Sequence, residues 1–156
     1  MTPELLSSRL MDPANDASSG VPDGYTLFEH GGPYFRALGP LYTRPAAAGG
    51  LIVAVRVKAA HTNPLGIAHG GMLLTLADGT LGIYLSQAPH AQRGAHVTVT
   101  TTLNSEFLSA AHVGDWLEAH ARVRRNGRRI VFAECTLRVG EREVLHTSGT
   151  FLPIDR

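Results

Sequence analysis

The chain has 156 residues, 44% of them apolar and 17% charged, with a formal net charge of +1. That length suits one domain around one sizeable core, and the near-neutral balance provides no broad field for nucleic acid. A single cysteine excludes an intrachain disulfide, the eight histidines lack paired metal-ligand spacing, and no apolar run is long enough to cross a bilayer.

In chain order, Thr2-Pro3-Glu4 followed by Leu5, Leu6 and Leu10 reads as a short helix, with Thr2 as N-cap and Pro3 in its first turn. Asp12 to Gly24 is rich in Pro, Asp, Ser and Gly and reads as a mobile connector. Residues 1–24 are thus expected to be a helix and flexible connector, and 25–156 a single folded domain. The N-terminus has no basic region leading into an apolar core, so a signal peptide is not expected and the cytoplasm is the default location. Tyr34 to Thr43 and Leu51 to Lys58 read as two strands of a hairpin around Arg44-Pro-Ala-Ala-Ala-Gly-Gly50.

From His69 to about Gln87 the apolar residues Met72, Leu73, Leu74, Leu76, Ala77, Leu81, Ile83, Tyr84 and Leu85 occupy nearly every side of a helix, which must then be buried all round. Spacing does not assign Met72, Leu73, Leu76, Leu81 or Tyr84 to core or to a ligand slot. Ala95 to Leu108, Trp116 to Arg125, Arg129 to Val139 and Val144 to Leu152 read as four consecutive antiparallel strands, with Asn126-Gly127 and Gly140-Glu141 at tight reversals. The simple way to bury that helix is an α+β arrangement with the sheet wrapped around it. Cys135, mid-strand among Phe132, Ala133 and Leu137, reads as a packed thiol.

Between Lys58 and Arg93 the only formal charge is Asp78, eight residues beyond the Ala-His-Gly-Gly turn at 68–71. A carboxylate in an apolar helix is costly to desolvate unless it is paired, hydrogen-bonded or open to a cavity. Asp78 is therefore a candidate for chemistry; the alternative is a buried carboxylate satisfied by Thr75, Thr80 or backbone donors.

The element order and the pattern Asn63…His69-Gly70-Gly71…Asp78 resemble the hotdog-fold acyl-CoA thioesterases of the PaaI-like group. Gly39-Pro-Leu-Tyr, Phe107-Leu-Ser-Ala-Ala with Gly114-Asp115, Asn126-Gly-Arg and Ser148-Gly-Thr-Phe support it, over roughly Tyr34 to Leu152. The connection Ala88 to Ala95 departs from it by looking longer than in compact relatives. The resemblance implies an antiparallel sheet around one long central helix and a homodimer joined edge to edge, often paired again as a dimer of dimers. It also implies hydrolysis of an acyl-CoA, with coenzyme A as part of the substrate and no metal or organic cofactor.

Thioester hydrolysis needs a group to polarise the carbonyl and one to deliver water or attack directly. At the helix start the N–H groups are unpaired and the macrodipole is positive, so Gly70 N–H can donate to a developing oxyanion, and glycine at 70 and 71 permits close approach. Asp78 can act as general base or as nucleophile, and both readings stand. Eight helical residues span about 12 Å, so Gly70 and Asp78 of one chain can hardly serve the same carbonyl carbon. Antiparallel helices in a two-fold dimer can bring Gly70 of one subunit to Asp78 of the other.

By the resemblance, Asn63 and His69 help place water or thioester, and the Thr100 hydroxyl approaches the carboxylate or substrate. Asn63-Pro64 is equally a turn opener, His69 a cap, and Thr98, Thr100 and Thr102 equally an alternating β-strand face. The hairpin Arg125-Asn126-Gly127-Arg128-Arg129 is, by the resemblance, where coenzyme A phosphates bind through forked arginine hydrogen bonds, against a plainly solvated charged turn. The acyl group, aryl or medium-chain, is not readable. The rival class is a noncatalytic acyl-CoA or acyl-lipid binding module on the same fold. A hotdog dehydratase is disfavoured because its Phe- and Pro-rich histidine context is absent.

Overall fold

The computed structural model describes residues 20–87 and 97–154; the expected Thr2 helix and the Ala88–Ala95 connection lie outside them. The elements run β1 (Thr26–Phe28), α1 (Gly32–Arg36), β2 (Leu41–Pro45), β3 (Leu51–Arg56), α2 (Gly70–Leu85), β4 (Val97–Phe107), β5 (Trp116–Asn126), β6 (Val131–Val139) and β7 (Arg142–Ile154). The strands form one antiparallel sheet in the order β1-β2-β3-β5-β6-β7-β4.

α2 lies in the hollow of this sheet because its apolar residues leave no polar face to offer water. Leu76, Ala77 and Leu81 are wholly buried, and Met72, Leu73, Tyr84 and Leu85 nearly so, so the five residues that spacing left unassigned are all core. Opposite them stand Val53 and Val55 of β3, Leu117, Ala119 and Ala121 of β5, and Ala133, Cys135 and Leu137 of β6. The run of small residues at 119, 121, 133 and 135 lets the helix sit close to the middle of the sheet. Burial pushes the Cys135 thiol far above its ordinary pKa, as expected for a packed side chain.

Three features differ from expectation. Tyr34 to Thr43 is not a strand: Gly32–Arg36 forms the short helix α1, and β2 begins only at Leu41. Pro33 in the first turn and the buried Phe35 explain the turn of helix, which docks its ring on α2. The four last strands are consecutive in sequence but not in the sheet, since β5 pairs with β3 and β4 closes the far edge against β7. Asn126 pairs with Val131, so the β5–β6 reversal spans four residues, whereas Gly140-Glu141 is the expected two-residue turn, with Gly140 at φ +58°.

The end of the expected mobile connector is tied down. Arg56 Nη2 donates to Gly20 O at 2.9 Å, and Tyr25 OH donates to Glu118, which also lies 2.8 Å from His120 Nε2. Arg56 and Tyr25 both rest on the Trp116 ring. This cluster covers the outer face of β3 and explains why Ile52 and Ala54, on the side of β3 away from α2, are also buried.

Candidate functional site

Asp78 sits in the third turn of α2, half-buried, and Thr100 Oγ1 of β4 donates to its Oδ1 at 2.7 Å. Neither Thr75 nor Thr80 serves it: their hydroxyls donate to Gly71 O and Leu76 O within the helix. The carboxylate borders a cavity of about 790 Å³, walled on one side by α2 and on the others by Phe28, His30 and Gly31 before α1 and by Thr98 and Thr100 of β4. Thr98 Oγ1 is buried there with no hydrogen-bond partner among the described residues.

A β-bulge shapes this wall. The pairing of β4 with β7 slips between Thr100 and Thr102, so Thr101 and Thr102 both reach Thr150 Oγ1 at 2.7 Å. The expected common face of Thr98, Thr100 and Thr102 is therefore broken: Thr102 turns to the outer side, while Thr98 and Thr100 keep to the side of α2.

The start of α2 is built differently. His69 is the N-cap and its Nδ1 accepts Gly71 N–H at 2.9 Å, which leaves the proton of a neutral ring on the exposed Nε2. Leu73 N–H returns to His69 O, and Gly70 N–H makes no hydrogen bond to any described residue. Phe107 Cε1 lies 3.1 Å from where a Cβ on Gly70 would stand. Asn63 closes the preceding turn, accepting Leu65 N–H through Oδ1 at 2.9 Å. Within one chain the structure thus groups Asn63, His69, Gly70 and Gly71 at one end of α2 and Asp78 with Thr100 farther along, two turns of helix apart.

Arg125, Arg128 and Arg129 are exposed at the β5–β6 turn and form no ion pair with a described residue, whereas Arg122 and Arg124 both pair with Glu134. Asn126 pairs with Val131, Val131 with Phe151, and Phe151 with Thr100. The turn is therefore in line with Thr100, three strand spacings or about 14 Å across the sheet.

Two parts of the surroundings carried no usable sequence signal. The Phe28–Gly31 wall meets α2 only through folding. His61 is buried, accepts Lys58 N–H through Nδ1 at 3.1 Å and donates through Nε2 to Leu38 O at 2.7 Å, while its own carbonyl accepts His69 N–H. Burial holds its pKa below the ordinary histidine value. The folded ring resists a proton that the unfolded chain takes up below pH about 6.5, so this contribution to stability is complete above that pH and is lost as pH falls toward the lowered value. Thermal melts from about pH 7.5 to about pH 5.5 should show an acid-side loss that shrinks in His61→Gln; an identical slope in both proteins would refute the assignment.

A family model described as the thioesterase superfamily matches residues 65–146. A candidate esterase of Pseudomonas aeruginosa is 40% identical over 131 residues, covering 84% of this chain and 96% of that protein. Human acyl-coenzyme A thioesterase 13 is 29% identical over 102 residues, covering 65% of this chain and 70% of that one. A mutant of the phenylacetic acid degradation protein PaaI from Thermus thermophilus superposes with a TM-score of 0.68 at 27% identity, covering 79% of this chain and 100% of that structure. With seven antiparallel strands wrapped on one long helix among the described residues, the chain belongs to the thioesterase superfamily and is a hotdog-fold thioester hydrolase.

Proposed function

We propose that the substrate is an acyl-CoA with an aryl or medium-chain acyl group, cleaved to the free acid and coenzyme A. The observation that carries this is the half-buried Asp78 carboxylate, held by the Thr100 hydroxyl at the edge of a cavity large enough for such a group. As general base, Asp78 takes a proton from water, whose oxygen attacks the thioester carbonyl carbon. The oxyanion accepts the Gly70 N–H of the partner subunit, and collapse breaks the C–S bond and releases the thiolate, which takes up the proton. As nucleophile, Asp78 attacks the thioester carbonyl carbon and the C–S bond breaks to release the coenzyme A thiolate; water then opens the resulting mixed anhydride to the free acid, regenerating the carboxylate and supplying the thiolate's proton. Either route uses only protein groups and water, with coenzyme A entering as part of the substrate.

The shared site calls for a homodimer, and the edge strand supports it. β4 is 11 residues long, its outer edge has no strand beside it among the described residues, and Val99, Phe107 and Leu108 are exposed along or just beyond it. Pairing of two such dimers is part of the same reading. Arg125, Arg128 and Arg129, without acidic partners among the described residues, suit the coenzyme phosphates, with Asn126 and Gly127 shaping their turn. No helix among the described residues is long and apolar enough to cross a membrane, and a cytoplasmic location completes the proposal.

Thiol release from a panel of acyl-CoA esters tests the substrate class; saturable binding without turnover would refute it. Mixing tests the sharing. Gly70→Val and Asp78→Asn proteins are each expected to be nearly inactive. After subunit exchange, half the dimers are mixed and each carries one intact site of two, so about a quarter of wild-type activity should return. No recovery in a mixture proven to exchange would place both groups in one subunit's site or in none.

A further inference from the structure

Gly82 is a glycine of α2 that neither its backbone nor its packing against the described residues requires. A Cβ on Gly70, Gly71 or Gly79 would meet a neighbour within 3.1 Å, but nothing among the described residues lies within 4 Å of one on Gly82. Its φ is not in the left-handed region, and glycine inside a helix is less favourable than alanine. The residue therefore costs helix stability and fills no packing role among the described residues.

What it borders explains it. Gly82 follows Asp78 by four residues and so lies one turn along on the same helix face, about 6 Å farther down the axis. Both line the same cavity, with Ile83 beside them and Phe28 and His30 forming the opposite wall, their rings edge to face at 5.4 Å. The bare backbone at Gly82 thus leaves open space in the slot one helical turn from the carboxylate.

Resting on the reading of Asp78 as the catalytic carboxylate, we infer that Gly82 is a specificity-determining residue: the space its missing side chain leaves is occupied by the distal part of the acyl group. An acetyl group attached at a carbonyl beside Asp78 ends before it reaches Gly82. An octanoyl or phenylacetyl group runs over it. Residue 82 therefore sets how large an acyl group the slot admits.

Gly82→Ala and Gly82→Leu, assayed by thiol release on acetyl-, butyryl-, octanoyl- and phenylacetyl-CoA, test this. The ratio of kcat/KM for octanoyl- or phenylacetyl-CoA to that for acetyl-CoA should fall at least about tenfold in Gly82→Leu and by less in Gly82→Ala, which should melt no lower than wild type. An unchanged ratio in folded variants, or equal loss on every ester, overturns the role of Gly82 while leaving hydrolysis at Asp78 intact. Failure of wild type to hydrolyse any ester, or full activity in Asp78→Asn, overturns the underlying reading and this inference with it.

Discussion

Asp78→Asn is expected to lower kcat/KM for acyl-CoA hydrolysis by about 10²–10⁴, the usual contribution of a positioned general base, without unfolding the protein. The amide is nearly isosteric, and its oxygen can keep the hydrogen bond from Thr100 Oγ1. What it loses is the ability to take a proton from water or to attack the carbonyl. The check is thiol release beside a thermal melt and a binding isotherm for coenzyme A. A folded variant that binds coenzyme A and retains more than about a tenth of wild-type turnover would return the carboxylate to a structural role.

Phe35→Ala is expected to be the most destabilising change near the site, by about 3 kcal/mol or more, as for a buried phenylalanine cut to alanine. The ring is only 4% exposed, and its atoms come within 2.3 Å of a Cβ position on Gly79 and 2.4 Å of one on Gly31. It lies almost on the backbone of α2 and fixes the Phe28–Gly31 wall of the cavity. Gly79→Ala alone should therefore destabilise by about 1–3 kcal/mol through overpacking. In the Phe35→Ala background the same substitution should stabilise, by up to about 1 kcal/mol from helix propensity. Melts of the four proteins form a double-mutant cycle, and equal effects of Gly79→Ala in both backgrounds would disprove the contact.

The strands and the long helix were legible because their periods are local properties of the chain. The apolar saturation of 72–85 required a surrounding sheet, and the lone Asp78 stood out against it. Tyr34 and Phe35 resemble strand residues because aromatic residues favour strands on average, whereas Pro33 is the mark of the first turn of the helix they form. Sheet order was beyond reach for a different reason: alternation shows that β4 has an inner face, not that β7 rather than β5 will pair with it. The cavity wall at Phe28–Gly31 depends on contacts between segments some 50 residues apart, and no spacing rule reports those.

The bulge at Thr101 has a consequence for how a single edge strand serves two purposes. Before it, even-numbered residues face α2, and Thr98 and Thr100 supply hydroxyls beside the carboxylate. Beyond it, the phase is reversed, so Leu103, Ser105 and Phe107 face inward while Glu106 faces out, paired across from His146. An uninterrupted β4 with Thr100 in place would aim Asn104 and Glu106 at the helix instead. One extra residue thus decouples the two halves of the strand: deleting Thr101 would force a choice between a polar lining at Asp78 and a well-formed seat for the other end of α2.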